Sequence, residues 1–174
     1  MAILKQPEST GGGGRRIKLE GPPSKGTYLA VCFEIEERFG VTRKKFESEE
    51  TEVVDLISFY FGFKQKDGTP GIVRSKPMKI TVLHENSSLV KFIRQWLGEA
   101  PSTGFDTDTL KGAGAQITVA LKMAGNGKTY ANIASIGPVM EGLEKSVPDA
   151  DRFMQYLEPL GGSPAKDDDD SIPL

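Results

Sequence analysis

One change of hydrophobic period constrains this chain more than any other feature. Three stretches come first, Thr27–Arg38 (TYLAVCFEIEER), Val53–Lys64 (VVDLISFYFGFK) and Ile72–Leu83. They are rich in β-branched and aromatic residues, as strands are. In the first, Leu29, Val31, Phe33 and Ile35 recur at period two, which predicts one shared face. After Asn86-Ser87-Ser88 the period switches. Leu89, Phe92, Ile93, Trp96 and Leu97 follow the i, i+3, i+4, i+7, i+8 spacing of an amphipathic helix, and Gly98 stands where a C-terminal cap belongs. The strand period then returns in Gln116–Met123 and Lys128–Ile136, around the hairpin turn Gly125-Asn126-Gly127. Pro77 places the third strand at an edge or bulge.

Three strands, a helix and a two-strand hairpin predict a mainly β chain, a five-stranded OB-fold barrel with a helix between strands three and four. Such a barrel offers its strand 2–3 face and the loops after strands one and four to oligonucleotides or oligosaccharides. The barrel is expected over residues 26–138. Residues 1–25, with Gly11–Gly14 and Pro22-Pro23, read as a flexible arm, because such a composition buries too little surface to offset ordering entropy. Residues 139–166 read as a linker with a short helix around Asp149–Leu157, and residues 167–174 as an acidic tip.

The chain is 174 residues long, enough for one domain with tails. It has no apolar run long enough to span a bilayer and no secretory leader pattern, so a cytoplasmic protein is expected. The lone cysteine, Cys32, rules out an internal disulfide, and the lone histidine, His84, argues against a Cys/His zinc site. The formal net charge of -2 argues at first against nucleic acid. Divided at Pro138, it separates into 19 Lys+Arg against 15 Asp+Glu before the division and 3 against 9 after it, a mildly basic barrel and a strongly acidic tail.

Catalytic and cofactor motifs fail. Gly127-Lys128-Thr129 ends like a phosphate-binding loop, but Lys122 stands where its first glycine is required, and no helix follows. Gly112-x-Gly114 lacks the third glycine of a dinucleotide fingerprint. Asp106-x-Asp108 opens like a calcium loop, but Leu110 and Ile117 occupy positions that need oxygen ligands. Asp55, Asp106 and Asp108 are too dispersed for a metal-dependent nuclease. Cys32 reads as a packed thiol. The chain is expected to be no enzyme and to need no cofactor or metal.

Basic and aromatic residues remain. Arg43, Lys44 and Lys45 fall in the strand 1–2 loop, Lys64 and Lys66 end strand two, Arg74, Lys76 and Lys79 lie on strand three, and Lys128 borders the last turn. Tyr28, Phe59, Tyr60 and Tyr130 interleave them. Single-strand binding needs cations along the phosphates and aromatic faces under the bases, each stack contributing ~1–3 kcal/mol. Phe59, Phe61 and Phe63 share a face that reads as core. Tyr60, on the opposite face with Lys64, and Tyr130, with Asn132, read as the better stacking platforms. At the other end, Asp167–Asp170 run into Ile172, Pro173 and Leu174, a peptide suited to a basic pocket with an apolar slot.

This tip, DDDDSIPL, resembles that of bacterial single-stranded DNA-binding proteins, which end in acidic residues and then Ile-Pro-Phe. Ser171 is inserted here, and Leu174 replaces the phenylalanine. The stretches VRSKPMKITVLHENSSLVKFIRQWLG, GFDTDTLKGA and GKTYANIASI resemble bacteriophage and prophage proteins that bind single-stranded DNA. The resemblance implies an OB-fold and a role in DNA replication, recombination or repair. The resulting expectation is a sequence-nonspecific single-stranded DNA-binding protein that recruits replication and recombination proteins through its tip. The alternative is a non-catalytic protein-binding adaptor or inhibitor. DNA versus RNA, and monomer versus homo-oligomer, stay open.

Overall fold

The structure, a computed structural model, describes residues 15–19, 21–44, 49–80, 87–102 and 104–159. Its elements in chain order are β1 (Arg15–Ile17), β2 (Gly26–Lys44), β3 (Thr51–Lys64), β4 (Pro70–Arg74), β5 (Met78–Lys79), α1 (Ser88–Leu97), β6 (Gly114–Met123), β7 (Thr129–Gly137) and β8 (Leu157–Pro159). The chain is mainly β. The main sheet is antiparallel and runs β4-β3-β2-β6-β7, with β5 also pairing to β3. It is an open sheet. Its edge strands β4 and β7 lie beside each other, but no ladder joins them among the described residues. The closed barrel expected from strand order is therefore replaced by a sheet whose two edges face across a gap.

The expected charged loop at 41–50 is instead the far end of a long hairpin. Val41, Thr42, Arg43 and Lys44 pair with Val54, Val53, Glu52 and Thr51. The expected third strand is broken. β4 ends at Arg74 and β5 begins at Met78, because Pro77 cannot donate to the ladder. Ser75 bridges the break from both sides: its N–H donates to the Phe59 carbonyl at 2.8 Å, and its hydroxyl accepts from the Phe59 N–H at 2.9 Å.

The face predicted from Leu29, Val31, Phe33 and Ile35 is divided by a bulge. Cys32 opposes Phe61 and Glu34 opposes Tyr60, so Phe33 is the extra residue. One inserted residue reverses parity as far as the next register shift, between Arg38 and Val41. Tyr28, Ala30, Cys32 and, past the bulge, Ile35 thus serve one core, while Val31 and Phe33 serve another.

The first core lies between the sheet and α1. Ile57, Phe59, Phe61 and Phe63 of β3 meet Leu89, Ile93 and Trp96 of the helix. The helix begins where Ser87 accepts from the Val90 N–H at 3.1 Å. It ends at Gly98, whose φ of 85° is the left-handed cap that favours glycine. The second core covers the other face. Val31, Phe33, Tyr60 and Ile72 are buried under Phe153 and Leu157, with Ile17, Leu19, Val147 and Tyr156 around them.

That second layer corrects two expectations. Arg15, Arg16 and Ile17 of the expected arm pair with Pro159, Glu158 and Leu157 of the expected linker. The expected helix near Asp149–Leu157 is two short 3-10 turns, Ala150–Arg152 and Met154–Tyr156, and Phe153 sits between them. The Phe153 ring packs directly on Gly62, where an added Cβ would collide with it. A glycine at that point of β3 is what lets residues 150–157, a strap across this face, lie down on the sheet.

Candidate functional site

The residues predicted to bind fall into three groups. The first is core. Tyr28 is buried, its ring stacks on Phe63 at 4.4 Å, and its hydroxyl donates to the Ser24 carbonyl at 2.9 Å. Phe59 is fully buried against Phe92 and Trp96. Neither presents an open face to a base.

Tyr60 is the main correction. Its parity was read correctly as opposite to Phe59, but that face is covered by Phe33 and the strap, and the residue is 0% exposed. Its hydroxyl donates to Glu36 Oε1 at 3.1 Å and accepts from Arg74 at 3.4 Å. Tyr60 positions Arg74 rather than stacking a base. The Arg74 guanidinium lies 5.9 Å from the Tyr60 ring centroid and 3.7 Å from Glu36.

The second group sits at the far end of the β2–β3 hairpin and is largely self-neutralised. Glu52 pairs with Arg43 at 3.2 Å and with Lys79 at 3.6 Å, and Lys44 pairs with Glu49 at 3.6 Å. Desolvation raises the Glu52 carboxyl, but the Arg43 hydrogen bond and the positive charges of Lys79 and Arg43 outweigh it. The carboxyl ends below its usual range. Lys45 lies outside the described residues.

The third group converges. A cleft of about 1000 Å³ opens between the two sheet edges, and Arg74 and Lys76 line it from β4 and its following ridge. Lys128 and Tyr130 line it from β7 and the preceding turn. Tyr130 is 49% exposed, so its ring is accessible. Tyr60 reaches the same cleft. Lys76 and Lys128 are exposed and have no ion pair among the described residues. Lys64 and Lys66 are exposed neighbours of Gln65, which lines the cleft, but neither lysine lines it. In that turn Asp67 accepts from the Thr69 hydroxyl at 2.6 Å and the Thr69 N–H at 3.0 Å, which holds its carboxyl below the usual range.

Two basic residues, one lining the cleft and one beside its Tyr130, were not among those predicted. Arg16 lines the cleft from β1 and pairs with Glu158. Only the pairing of the two chain ends brings it there, and no local signal announces that. Lys122 stands directly across the β6–β7 ladder from Tyr130, on the same face. This neighbour follows from the turn: once Ala124 and Lys128 close it, Met123 faces Thr129 and Lys122 faces Tyr130.

Chemically, the cleft supplies two cations with no ion pair among the described residues, Lys76 and Lys128, two paired ones, Arg16 and Arg74, one accessible aromatic ring and an apolar wall from Pro22 and Pro23. Among the described residues there is no group of His, Cys, Asp and Glu able to hold a metal ion. Cys32 is fully buried, and burial pushes its thiol up to about 12. No helix among the described residues is long and apolar enough to cross a membrane. The tip residues Asp167, Asp168, Asp169, Asp170, Ile172, Pro173 and Leu174 lie outside the described residues, as does His84. No family model, curated protein or solved structure matches this chain significantly.

Proposed function

We infer that this chain is a non-catalytic, sequence-nonspecific single-stranded DNA-binding protein of the OB type, and that the cleft between β4 and β7 holds the strand. The observation that carries the reading is convergence. Arg74 with Lys76 and Lys128 with Tyr130 come from two segments far apart in the sequence, and they line one groove. Cations there meet phosphates, and the exposed Tyr130 ring takes a base. The OB assignment is supported by the pairing pattern. β2 is central between β3 and β6, the last two strands form a hairpin, and α1 packs near β5 and β7.

In this reading the strand does not run over the outer face of β2 and β3, because the strap occupies it. It runs along the gap between the sheet edges instead. The acidic tip, Asp167–Asp170 with Ile172, Pro173 and Leu174, recruits replication, recombination or repair proteins of a bacterial host or its phage.

Fluorescence anisotropy with single-stranded DNA, duplex DNA and RNA of equal length, repeated across salt, tests the reading. Single-stranded DNA should bind with log affinity falling by about 0.7 per phosphate neutralised for each tenfold rise in salt. Binding that ignores salt, or no binding, overturns it. Deleting Asp167–Leu174 should preserve or tighten DNA binding and abolish partner capture. Partner capture without any DNA binding would establish the adaptor reading in its place.

A further inference from the structure

A second, smaller cavity backs onto the cleft. It measures about 290 Å³ and shares Ser75, Lys76 and Pro77 with the cleft, so the short ridge between β4 and β5 separates the two. Its floor is apolar, from Met78, Phe92 and Ile133, and its rim is polar, from Lys76, Lys91 and Gln95. The volume lies at the lower limit of ordinary ligand pockets, suited to one flat ring system rather than a large ligand.

Phe92 has an unusual setting. It belongs to a ring cluster in which it stacks on Phe59 at 5.6 Å and 11° and meets Trp96 edge-on at 6.1 Å. Phe59, Phe61 and Trp96 are buried, whereas Phe92 is only half-buried and lines the cavity. A ring braced by buried rings behind it and open in front loses little freedom when another ring stacks on it. Lys76 and Lys91 are exposed, and neither has an ion pair among the described residues.

Resting on the single-strand reading of the cleft, we propose that this cavity is a nucleobase subsite for the same strand. The strand leaves the cleft over the Ser75–Pro77 ridge, Lys76 and Lys91 take the phosphates on either side of one nucleotide, and its base stacks on Phe92 within reach of the Gln95 amide. Stacking on a ring with no base-specific slot tolerates every base, which matches sequence-nonspecific binding. The subsite also makes affinity depend on length: a strand that fills only the cleft gains nothing from Phe92.

The experiment measures affinity for an oligo-dT series of increasing length with the full chain, Phe92→Leu, Lys91→Gln and the cleft variant Tyr130→Ala. Phe92→Leu keeps an apolar side chain over Phe59, and Lys91→Gln changes only an exposed residue, so the second variant decides the matter if the first fails to fold. Both should bind the shortest competent oligomer like the parent. Phe92→Leu should lose about five- to a hundredfold of the affinity gained on lengthening, and Lys91→Gln should lower the salt slope by about 0.7 on the long oligomer alone. Tyr130→Ala should weaken every length. Oligomers carrying 5-bromodeoxyuridine should crosslink to the Phe92 peptide only above the threshold length. Unchanged length dependence in both subsite variants, with normal parent binding, overturns the subsite and leaves the cleft standing. Failure of the parent to bind any oligomer overturns both.

Discussion

At the far end of the β2–β3 hairpin, Arg43, Lys44 and Lys79 each meet a carboxylate, from Glu52 or Glu49. In the cleft, Lys76 and Lys128 meet none among the described residues, and an exposed Tyr130 stands beside them. The two regions carry the same residue types, and in the sequence the hairpin cluster is the denser of the two. The difference is partnering at Lys76 and Lys128, since Arg74 and Arg16 of the cleft pair with Glu36 and Glu158. A cation already engaged by a carboxylate releases less on meeting a phosphate, because the carboxylate is left behind. If the cleft binds single-stranded DNA, density of charge along the chain ranks the two regions in the reverse order of their contribution.

The largest expected effect tests whether the cleft depends on the strap. Phe153→Ala removes a buried ring from the second core and should cost about 3–5 kcal/mol of stability. Gly62→Ala attacks the same contact from the sheet side, since its Cβ has no room beside the ring. Hydrogen exchange on both variants should show lost protection at Arg16–Ile17 and Leu157–Glu158, which form a separate two-stranded ladder among the described residues. Protection at the hairpin pairs Val41–Val54 and Thr42–Val53 should persist at the stability the variant retains. Uniform loss at both places would merge the regions into one cooperative unit and end the comparison.

Next in size is Tyr130→Ala, expected to weaken single-stranded DNA binding by about 1–3 kcal/mol while leaving thermal stability nearly unchanged, since the ring is half exposed. Tyr130→Phe should bind almost as the parent does. Equal losses in both variants would point to the hydroxyl rather than the ring. Tyr60→Ala should behave differently, costing stability first, because its side chain is buried in the second core.

How much of this was legible beforehand divides by range. Local signals carry through to the structure: the cap region Asn86-Ser87-Ser88 holds the capping Ser87, and the Gly98 stop, the period of α1 and the turn at Gly125–Gly127 match. The face assignment in β2 failed past Phe33, because a bulge leaves no composition mark and reverses the side chains that follow it, here as far as the second register shift between Arg38 and Val41. Tyr60 failed for a longer-range reason. Alternation correctly placed it opposite Phe59, but an alternating strand does not reveal what covers its second face. Here the cover comes from Ile17 and Phe153, residues near the two chain ends. Gly62, lying in β3 between Tyr60 and Lys64, was the available hint, since a glycine inside a strand marks a close approach.

Smaller effects separate the cation groups by salt. Lys76→Gln and Lys128→Gln should each lower the slope of log affinity against log salt by about 0.7. Arg43→Gln and Lys44→Gln should each move it by less. If the hairpin substitutions shift the slope as far as the cleft ones, the strand contacts both regions, and partnering by Glu52 and Glu49 does not silence a cation. Glu52→Gln is the converse variant. It releases Arg43 and Lys79, and it should steepen the slope only if the strand passes the hairpin end.

The smallest effect is a pH dependence that belongs to the hairpin end and not to the cleft. Glu52 titrates below its ordinary value because Arg43 and Lys79 outweigh the desolvation that would raise it. A carboxyl lowered in the folded state contributes stability above its unfolded value. That contribution disappears as pH falls through the folded value, when both states carry the proton. Denaturant midpoints of the parent and Glu52→Gln should therefore differ slightly at neutral pH, with the parent more stable, and converge on acidification below about pH 4. Because the pair is solvent-exposed, added salt should shrink the neutral-pH difference as well. Lys128→Gln removes a cation with no carboxylate partner among the described residues, so its midpoint should track the parent's across the same range. A difference that persists in acid would assign Glu52 a packing role, and the hairpin cations would then be held by shape rather than by charge.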